Sequence, residues 1–251
     1  MQYAELKQAG IRVSRFCVGC WGLSPQDFTW GGTPLEDAVQ TIVTAFDRGI
    51  NFFDTAEAYG KGGSEEVLAL ALKQIPREQI VIASKASPSH FRANDLKEAC
   101  HASLRRLGTD YIDLYQLHWP SPSVPIEETW QAMEELQRDG KIRALAVSNF
   151  GVSYLRELLG LNSTVPASNQ LNYSLFFRAI EFEVLPFCRQ HGIPVLCYSP
   201  LNQGLLANRF ETTSQVPPER ARTRLFSPER PHARHHGPNL EPLVDETLKK
   251  L

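Results

Sequence analysis

Between residues 16 and 198, short apolar runs alternate with stretches of helical periodicity, and no long linker interrupts the series. This alternation constrains the fold more than any other feature of the chain. Repeated strand–helix units pack both faces of one sheet when the strands run parallel and the crossovers are right-handed. Apolar runs predict strands at 16–19, 50–53, 80–83, 111–117, 142–147, 167–170 and 194–198. The intervals carry helical signals. Thr33, Pro34 and Glu36 form a helix start with Thr33 as N-cap, and Gly49 ends that helix. Ser64 is the expected cap of a second helix carrying Val67, Leu68, Ala71 and Leu72. Further helices are expected at 95–107, 126–138, 153–159 and 181–190.

Two parallel architectures compete for such a pattern. A doubly wound dinucleotide fold opens with a Gly-rich turn leading straight from the first strand into a helix. Here Gly19-Cys20-Trp21-Gly22 runs instead into about ten residues of loop, so that fingerprint is absent. A (β/α)₈ barrel typically needs about 250 residues, and this chain has 251. The reading is therefore α/β, a TIM barrel in one domain over 1–251. No eighth strand is recognisable, so the barrel is expected to lack that strand and its last helix. Residues 203–238, with Arg220, Arg222, Arg224, Arg230 and Arg234 among several prolines, read as a long, solvated loop. Residues 240–251 resemble the start of one more helix.

Composition removes several classes of function. A formal net charge of −2 gives no basic excess of the kind that tracks phosphate backbones, which argues against nucleic acid. No apolar stretch approaches the roughly 20 residues of a membrane span, and the first ten residues lack a signal-peptide core. A cytoplasmic protein is expected. The five cysteines are odd in number and set among apolar neighbours, which predicts reduced core thiols. Cys17 and Cys20 have CxxC spacing but no second Cys/His pair nearby, so no zinc or redox role is assigned to them.

In a parallel barrel the strand C-termini line the mouth where chemistry occurs. Asp54 directly follows one predicted strand, and Tyr59 lies in the loop beyond it. Lys85 shares the period-two face of Val81 and Ala83, and His118 that of Leu114 and Gln116. Each alone has an ordinary structural reading, such as a turn carboxylate or a solvated lysine. Together, three consecutive strands deliver Asp, Lys, His and a neighbouring Tyr to one rim. That set suits proton donation to a carbonyl under reduction. Tyrosine, with an unperturbed pKa near 10, is a weak acid. A nearby lysine cation stabilises tyrosinate, an aspartate keeps the lysine charged, and a histidine orients the carbonyl oxygen. The rim offers one His, one carboxylate and no facing thiol pair, so no metal is expected.

These residues sit in segments similar to those of the aldo-keto reductases. The resemblance runs through 51–60 (Asn-Phe-Phe-Asp-Thr-Ala-Glu-Ala-Tyr-Gly), Ser84-Lys85 and Leu117-His118-Trp119-Pro120. It continues through Val147-Ser148-Asn149-Phe150, Asn169-Gln170-Leu171-Asn172-Tyr173 and Tyr198-Ser199-Pro200-Leu201. The turn at Gly19 to Gly22 and the run Gly63-Ser64-Glu65-Glu66 look like the bacterial and potassium-channel-β-subunit-like branch. The resemblance implies a (β/α)₈ barrel, NADPH as hydride donor, and Asp54, Tyr59, Lys85 and His118 as a catalytic tetrad. It further implies that Ser148, Asn149 and Gln170 meet the nicotinamide carboxamide, with Tyr198 stacked on the ring. Ser199, Leu201 and Gly204 would approach the pyrophosphate. Asn149 is read as continuing the inward face of Leu145 and Val147, and Tyr198 that of Pro194 and Leu196. The basic segment that holds the adenosine phosphate in such proteins is not recognisable here.

The leading expectation is thus an NADPH-dependent reductase acting on a small-molecule aldehyde or ketone. A cofactor-binding sensor or scaffold with little turnover is the alternative, which the channel-subunit likeness allows. A Schiff-base aldolase on Lys85 also suits a barrel, but its Tyr59 and Asp54 neighbours argue against it. Trp21, Phe28, Trp30 and Trp119 lie on or near the mouth loops, and Trp21 and Trp119 are the expected pocket walls.

Overall fold

The computed structural model describes residues 1–26 and 32–251. Two short antiparallel strands, β1 (Tyr3–Leu6) and β2 (Ile11–Ser14), form an N-terminal hairpin that the periodicity did not predict. The parallel strands follow: β3 (Val18–Gly19), β4 (Phe52–Asp54), β5 (Val81–Ala86) and β6 (Ile112–Leu117). They continue with β7 (Ile142–Ser148), β8 (Asn169–Asn172) and β9 (Val195–Tyr198). Helices alternate with them: α1 (Leu35–Asp47), α2 (Gly63–Ala71), α3 (Ala93–Leu107) and α4 (Ile126–Arg138). Then come α5 (Val152–Gly160), α6 (Val184–Gln190) and, near the end, α7 (Glu241–Leu248).

The described strands β3 to β9 pair in sequence order as a seven-stranded parallel sheet, curled into a nearly closed barrel. Strands β3 and β9 are its edges. Every residue of β5 and β6 is buried, whereas β9 is partly exposed along its length. The cysteines follow this pattern. Cys20, Cys100 and Cys188 are buried, but Cys17 and Cys197 are exposed, contrary to the expectation of five core thiols. Both exposed thiols lie beside or within an edge strand of the sheet.

The two faces of the sheet carry different cores. Outward, Phe53, Ile82, Tyr115, Leu117, Leu145 and Val147 pack with helix residues such as Ile42, Leu68, Leu104 and Trp130. Inward, Phe52, Val81, Ala83, Leu114, Ala144, Ala146 and Ala167 pack against Leu6, Ile11 and Val13 of the hairpin. The hairpin is pinned at the end where strands begin. Asn51 Oδ1 accepts from the Ser14 amide at 2.6 Å, and Asn51 Nδ2 donates to the Arg12 carbonyl at 3.0 Å. One end of the barrel is thereby plugged, and the strand C-termini remain as the mouth.

Three further expectations need correction. Thr33 does not cap α1, since Pro34 occupies the N-cap position and the Thr33 hydroxyl donates to the Gly22 carbonyl at 2.7 Å. Ser64 lies inside α2, buried, and its Oγ pairs with Thr55 Oγ1 and with the Cys20 carbonyl, each at 2.8 Å. It ties the helix to the barrel mouth rather than capping it. The third concerns the segment 203–238, which is folded rather than simply solvated. Leu205, Val216, Ala221, Leu225 and Phe226 bury together with Val244 of α7 in a separate small core. Arg230 holds that core by donating to Glu241 Oε1 and, at 2.8 Å, to the Thr213 carbonyl. An arginine-rich stretch reads as solvated when its acidic and carbonyl partners lie elsewhere in the sequence.

Candidate active site

Each of the four rim residues is placed by a different local device. Asp54 ends β4 and is almost fully buried, Lys85 sits near the end of β5 without exposure, and His118 directly follows β6. Tyr59 opens a tight turn, Tyr59–Gly62. Gly60 has φ +57°, and a Cβ there would stand 2.4 Å from Ser24 Oγ, so this turn requires glycine. The turn folds Tyr59 back over the mouth.

The Lys85 ammonium uses all three of its hydrogens. It donates to Asp54 Oδ2 at 2.6 Å, to the Thr55 carbonyl at 2.9 Å and to the Tyr59 hydroxyl oxygen at 3.1 Å. The hydroxyl therefore accepts from lysine, and its own hydrogen is left for another acceptor. The second Asp54 oxygen, Oδ1, accepts from Gln116 Nε2 at 3.0 Å and from Gln170 Nε2 at 2.8 Å. Trp21 stacks on Tyr59 with ring centres 5.7 Å apart, and His118 meets the same ring edge-on at 5.6 Å.

Electrostatics fix the protonation states. Burial alone would lower the Lys85 pKa, but the Asp54 carboxylate and then Tyr59 more than offset it, holding the ammonium above its ordinary range. Burial raises the Tyr59 pKa, and Lys85 opposes that rise without overcoming it. The sequence argument, that lysine makes the tyrosine a stronger acid, thus captures one of two opposed effects, and burial is the larger. His118 is pushed down to about 4, by burial first and Lys85 second, so it is neutral at pH 7. The site is a charged pair beside two neutral groups.

Around this group lies a second set of bonds. Asn149 Nδ2 donates to the His118 carbonyl and to Ser148 Oγ, each at 3.0 Å, while Tyr198 donates to Asn149 Oδ1 at 2.9 Å. Ser148 Oγ donates to the Gln170 carbonyl at 3.0 Å. Asn149 does not continue the face of Leu145 and Val147, because those side chains point outward into the helix layer. The inward face is that of Ala144 and Ala146, which Ser148 continues. Asn149 reaches the mouth through a left-handed backbone, φ +63°, just past the strand. Tyr198 does follow the inward Leu196.

Ser199, Leu201 and Gly204 lie in the turn after β9, a run of unusual backbone. Ser199, Asn202, Gln203 and Gly204 all have positive φ. Leu201 is exposed, and Trp119 stands half exposed beside His118. Phe28 and Trp30 lie outside the described residues. Two participants escaped the sequence reading. The sequence reading uses Gln116 only as a marker of the face that His118 shares, although the strand register sets it beside Lys85. Arg222 places its guanidinium 5.1 Å from the centre of the Trp21 ring, which joins the C-terminal segment to the mouth. No local pattern marks that contact. Among the described residues, no three His, Cys, Asp or Glu side chains converge as a metal site, and no helix is long and apolar enough to cross a membrane.

A parallel barrel with this rim defines the class, and comparison with known proteins fixes the family. Residues 15–249 match the Aldo/keto reductase family, to which the chain belongs. It is 40% identical over 222 residues to aldo-keto reductase YhdN of Bacillus subtilis, covering 84% of this chain and 65% of that protein. It is 37% identical over 238 residues to the NADH-specific methylglyoxal reductase of Escherichia coli, covering 86% of this chain and 72% of that one. An aldo/keto reductase from Klebsiella pneumoniae, solved with NADP and acetate, superposes with a TM-score of 0.71 at 37% identity. That match covers 79% of this chain and 69% of the other.

Proposed function

We propose that this chain reduces an aldehyde or ketone to an alcohol, with Tyr59 as the proton donor and a nicotinamide cofactor as the reductant. One observation carries the reading. Lys85 spends its three hydrogens on Asp54, Thr55 and Tyr59, so the Tyr59 proton is left for an acceptor in the mouth. A nicotinamide bound here supplies hydride to the carbonyl carbon. The carbonyl oxygen then gains charge, Tyr59 gives it a proton, and the tyrosinate that results sits 3.1 Å from a permanent ammonium. Lysine thus favours the state after transfer, which is how it assists although Tyr59 at rest is a weak acid. His118, neutral at pH 7, is suited to orient the carbonyl by a hydrogen bond rather than by charge.

The residues present fit the nicotinamide end of the cofactor. Gln170 donates one amide hydrogen to Asp54 Oδ1 and keeps slight exposure, which leaves its second N–H and its Oε1 for a carboxamide. Ser148, Asn149 and Gln170 would hold the carboxamide, Tyr198 would lie against the ring, and Ser199, Leu201 and Gly204 would meet the pyrophosphate. Of the relatives, one is named for NADH and another was solved with NADP. We assign NADPH to this chain, with a small carbonyl such as methylglyoxal as a test substrate. Trp21 and Trp119 would wall the pocket. The test is consumption of NADPH absorbance with methylglyoxal and with a panel of aromatic aldehydes. Turnover that Tyr59→Phe abolishes supports the reading. Tight NADPH binding without turnover across the panel would favour the sensor reading instead.

A further inference from the structure

Glu65, in the first turn of α2, is wholly buried. Its two oxygens are taken by different elements. Ser84 Oγ on β5 donates to Oε1 at 2.5 Å, and Arg106 Nε on α3 donates to Oε2 at 2.6 Å. Arg106 also lies against the turn that carries Tyr59, since a Cβ on Gly62 would stand 2.5 Å from its Cδ. Ser84 is the neighbour of Lys85 on β5, and the two side chains leave the strand on opposite faces. The turn Tyr59–Gly62 runs directly into α2. One carboxylate therefore joins the segment that carries Tyr59 to the strand that carries Lys85.

A buried ion pair is a poor source of stability, because desolvating both groups offsets much of their attraction. Val67, Leu68 and Ala71 of the same helix are buried in the apolar layer, and an apolar residue at 65 would serve packing as well. What apolar contacts lack is direction. A helix held by them alone slides by a fraction of an ångström at little cost, whereas hydrogen bonds fix distance and angle. The Tyr59 hydroxyl and the Lys85 ammonium, 3.1 Å apart, leave little room for such a slide. Ser64 ties the same turn of α2 to Thr55 and to the Cys20 carbonyl, on the side of β3 and β4. Glu65 supplies the tie on the side of β5. We infer that Glu65 is a positioning residue: bonded to Ser84 and braced by Arg106, it sets the Tyr59 hydroxyl at hydrogen-bond distance from Lys85. Its effect on rate rests on the reductase reading above, while the placement of Tyr59 belongs to the folded chain and is measurable without turnover.

Ser84→Ala in the full chain deletes the tie to β5 and leaves the Glu65–Arg106 pair in place. With NADPH and the aldehyde that the wild type reduces best, kcat should fall about tenfold, within the roughly 10²-fold that a 1 Å misplacement costs. KM and the NADPH Kd should stay within about twofold, because the loss falls on the transition state alone. Hydrogen exchange at the amides of residues 59–62 should quicken. Glu65→Gln keeps an oxygen for Arg106 and an amide for Ser84, so its kcat should stay within about threefold of wild type. Arg143→Met is the stability control. It removes an ion pair to the buried Asp113 near the start of β6 and β7, away from the mouth, and should lower the melting temperature with kcat unchanged. Unchanged kcat or unchanged exchange in Ser84→Ala would overturn the inference, as would an equal loss of kcat in Arg143→Met. If the wild-type chain reduces no carbonyl, the reductase reading fails, and exchange at 59–62 alone decides the placement: faster in Ser84→Ala supports it, and unchanged overturns it.

Discussion

The Lys85 ammonium donates to the Tyr59 hydroxyl oxygen at 3.1 Å and also lies 4.7 Å from the centre of the Tyr59 ring. The phenol is therefore held by a cation that takes none of its hydrogen-bonding hydrogen. Removing only the hydroxyl, by Tyr59→Phe, should preserve the ring contacts to Trp21 and His118 while deleting the acid. Carbonyl reduction should fall by about 10²- to 10⁴-fold, the usual loss for a general acid. NADPH affinity should stay within about threefold of wild type, a margin within the scatter expected for a packing-neutral change. A mutant turning over methylglyoxal at the wild-type rate would remove Tyr59 from the mechanism.

The Lys85–Asp54 pair makes a second, opposite test of stability and rate. Both groups are buried, so Lys85→Met strands a carboxylate and Asp54→Asn strands an ammonium. Each single change should cost about 3–5 kcal/mol of folding stability, the scale for an uncompensated buried charge. The double variant removes both charges and should recover most of that loss in urea melts, yet show no recovery of turnover. Equal destabilisation by the double variant and the singles would mean that the charges are not coupled.

His118 should leave a signature in acid. Below about pH 6.5 the unfolded chain takes up a proton that the folded chain refuses until about pH 4. The unfolded state binds more protons in that window, so stability rises with pH across it and is lost as pH falls. The substitution His118→Gln removes the titration, and its stability should decline less steeply than wild type between those values. Parallel stability–pH curves for the two proteins would show that His118 is not held neutral by burial. The same shift implies that turnover has no His118 inflection near pH 6.5.

The meeting of Asp54, Lys85 and His118 at one rim was legible because each obeys a rule local to its own strand, whereas Tyr59 arrives from the turn beyond β4. Asp54, Lys85 and His118 each extend an alternation of inward residues, and the inward core of Phe52, Val81, Ala83 and Leu114 bears that alternation out. The same rule failed for Asn149, where a single left-handed residue past β7 breaks the parity that the argument assumed. Ser64 and Thr33 failed for a related reason. Their hydroxyls have the right spacing to cap helices, but tertiary acceptors at Cys20 and Gly22 are better placed. The hairpin was missed because Tyr-Ala-Glu-Leu and Ile-Arg-Val-Ser interleave charged and polar residues, so neither forms the apolar run by which the other strands were found. Arg222 on Trp21 lies beyond any local rule, since only the folded chain brings positions so distant together.

That last contact rests on a segment held by Arg230, which supports a final prediction. Arg230 is only slightly exposed and donates to Glu241 and to the carbonyls of Thr213 and Val216, at the edge of the small core around Phe226. Arg230→Met keeps the length of the side chain and removes every one of these bonds. Hydrogen bonds to charged groups are worth about 1.5–3 kcal/mol each, though contributions to one side chain are not additive. The segment should therefore loosen locally, and limited proteolysis should cut within 217–235 faster than in wild type. Because Arg222 in that segment lies over Trp21, and Trp21 stacks on Tyr59, the loosening should reach the mouth. The KM for a carbonyl substrate should rise several-fold, on the scale of one exposed cation–π contact, about 0.5–1 kcal/mol, with kcat little changed. Faster cleavage with an unchanged KM would separate the segment from the pocket, and an unchanged cleavage rate would show that Arg230 does not hold it.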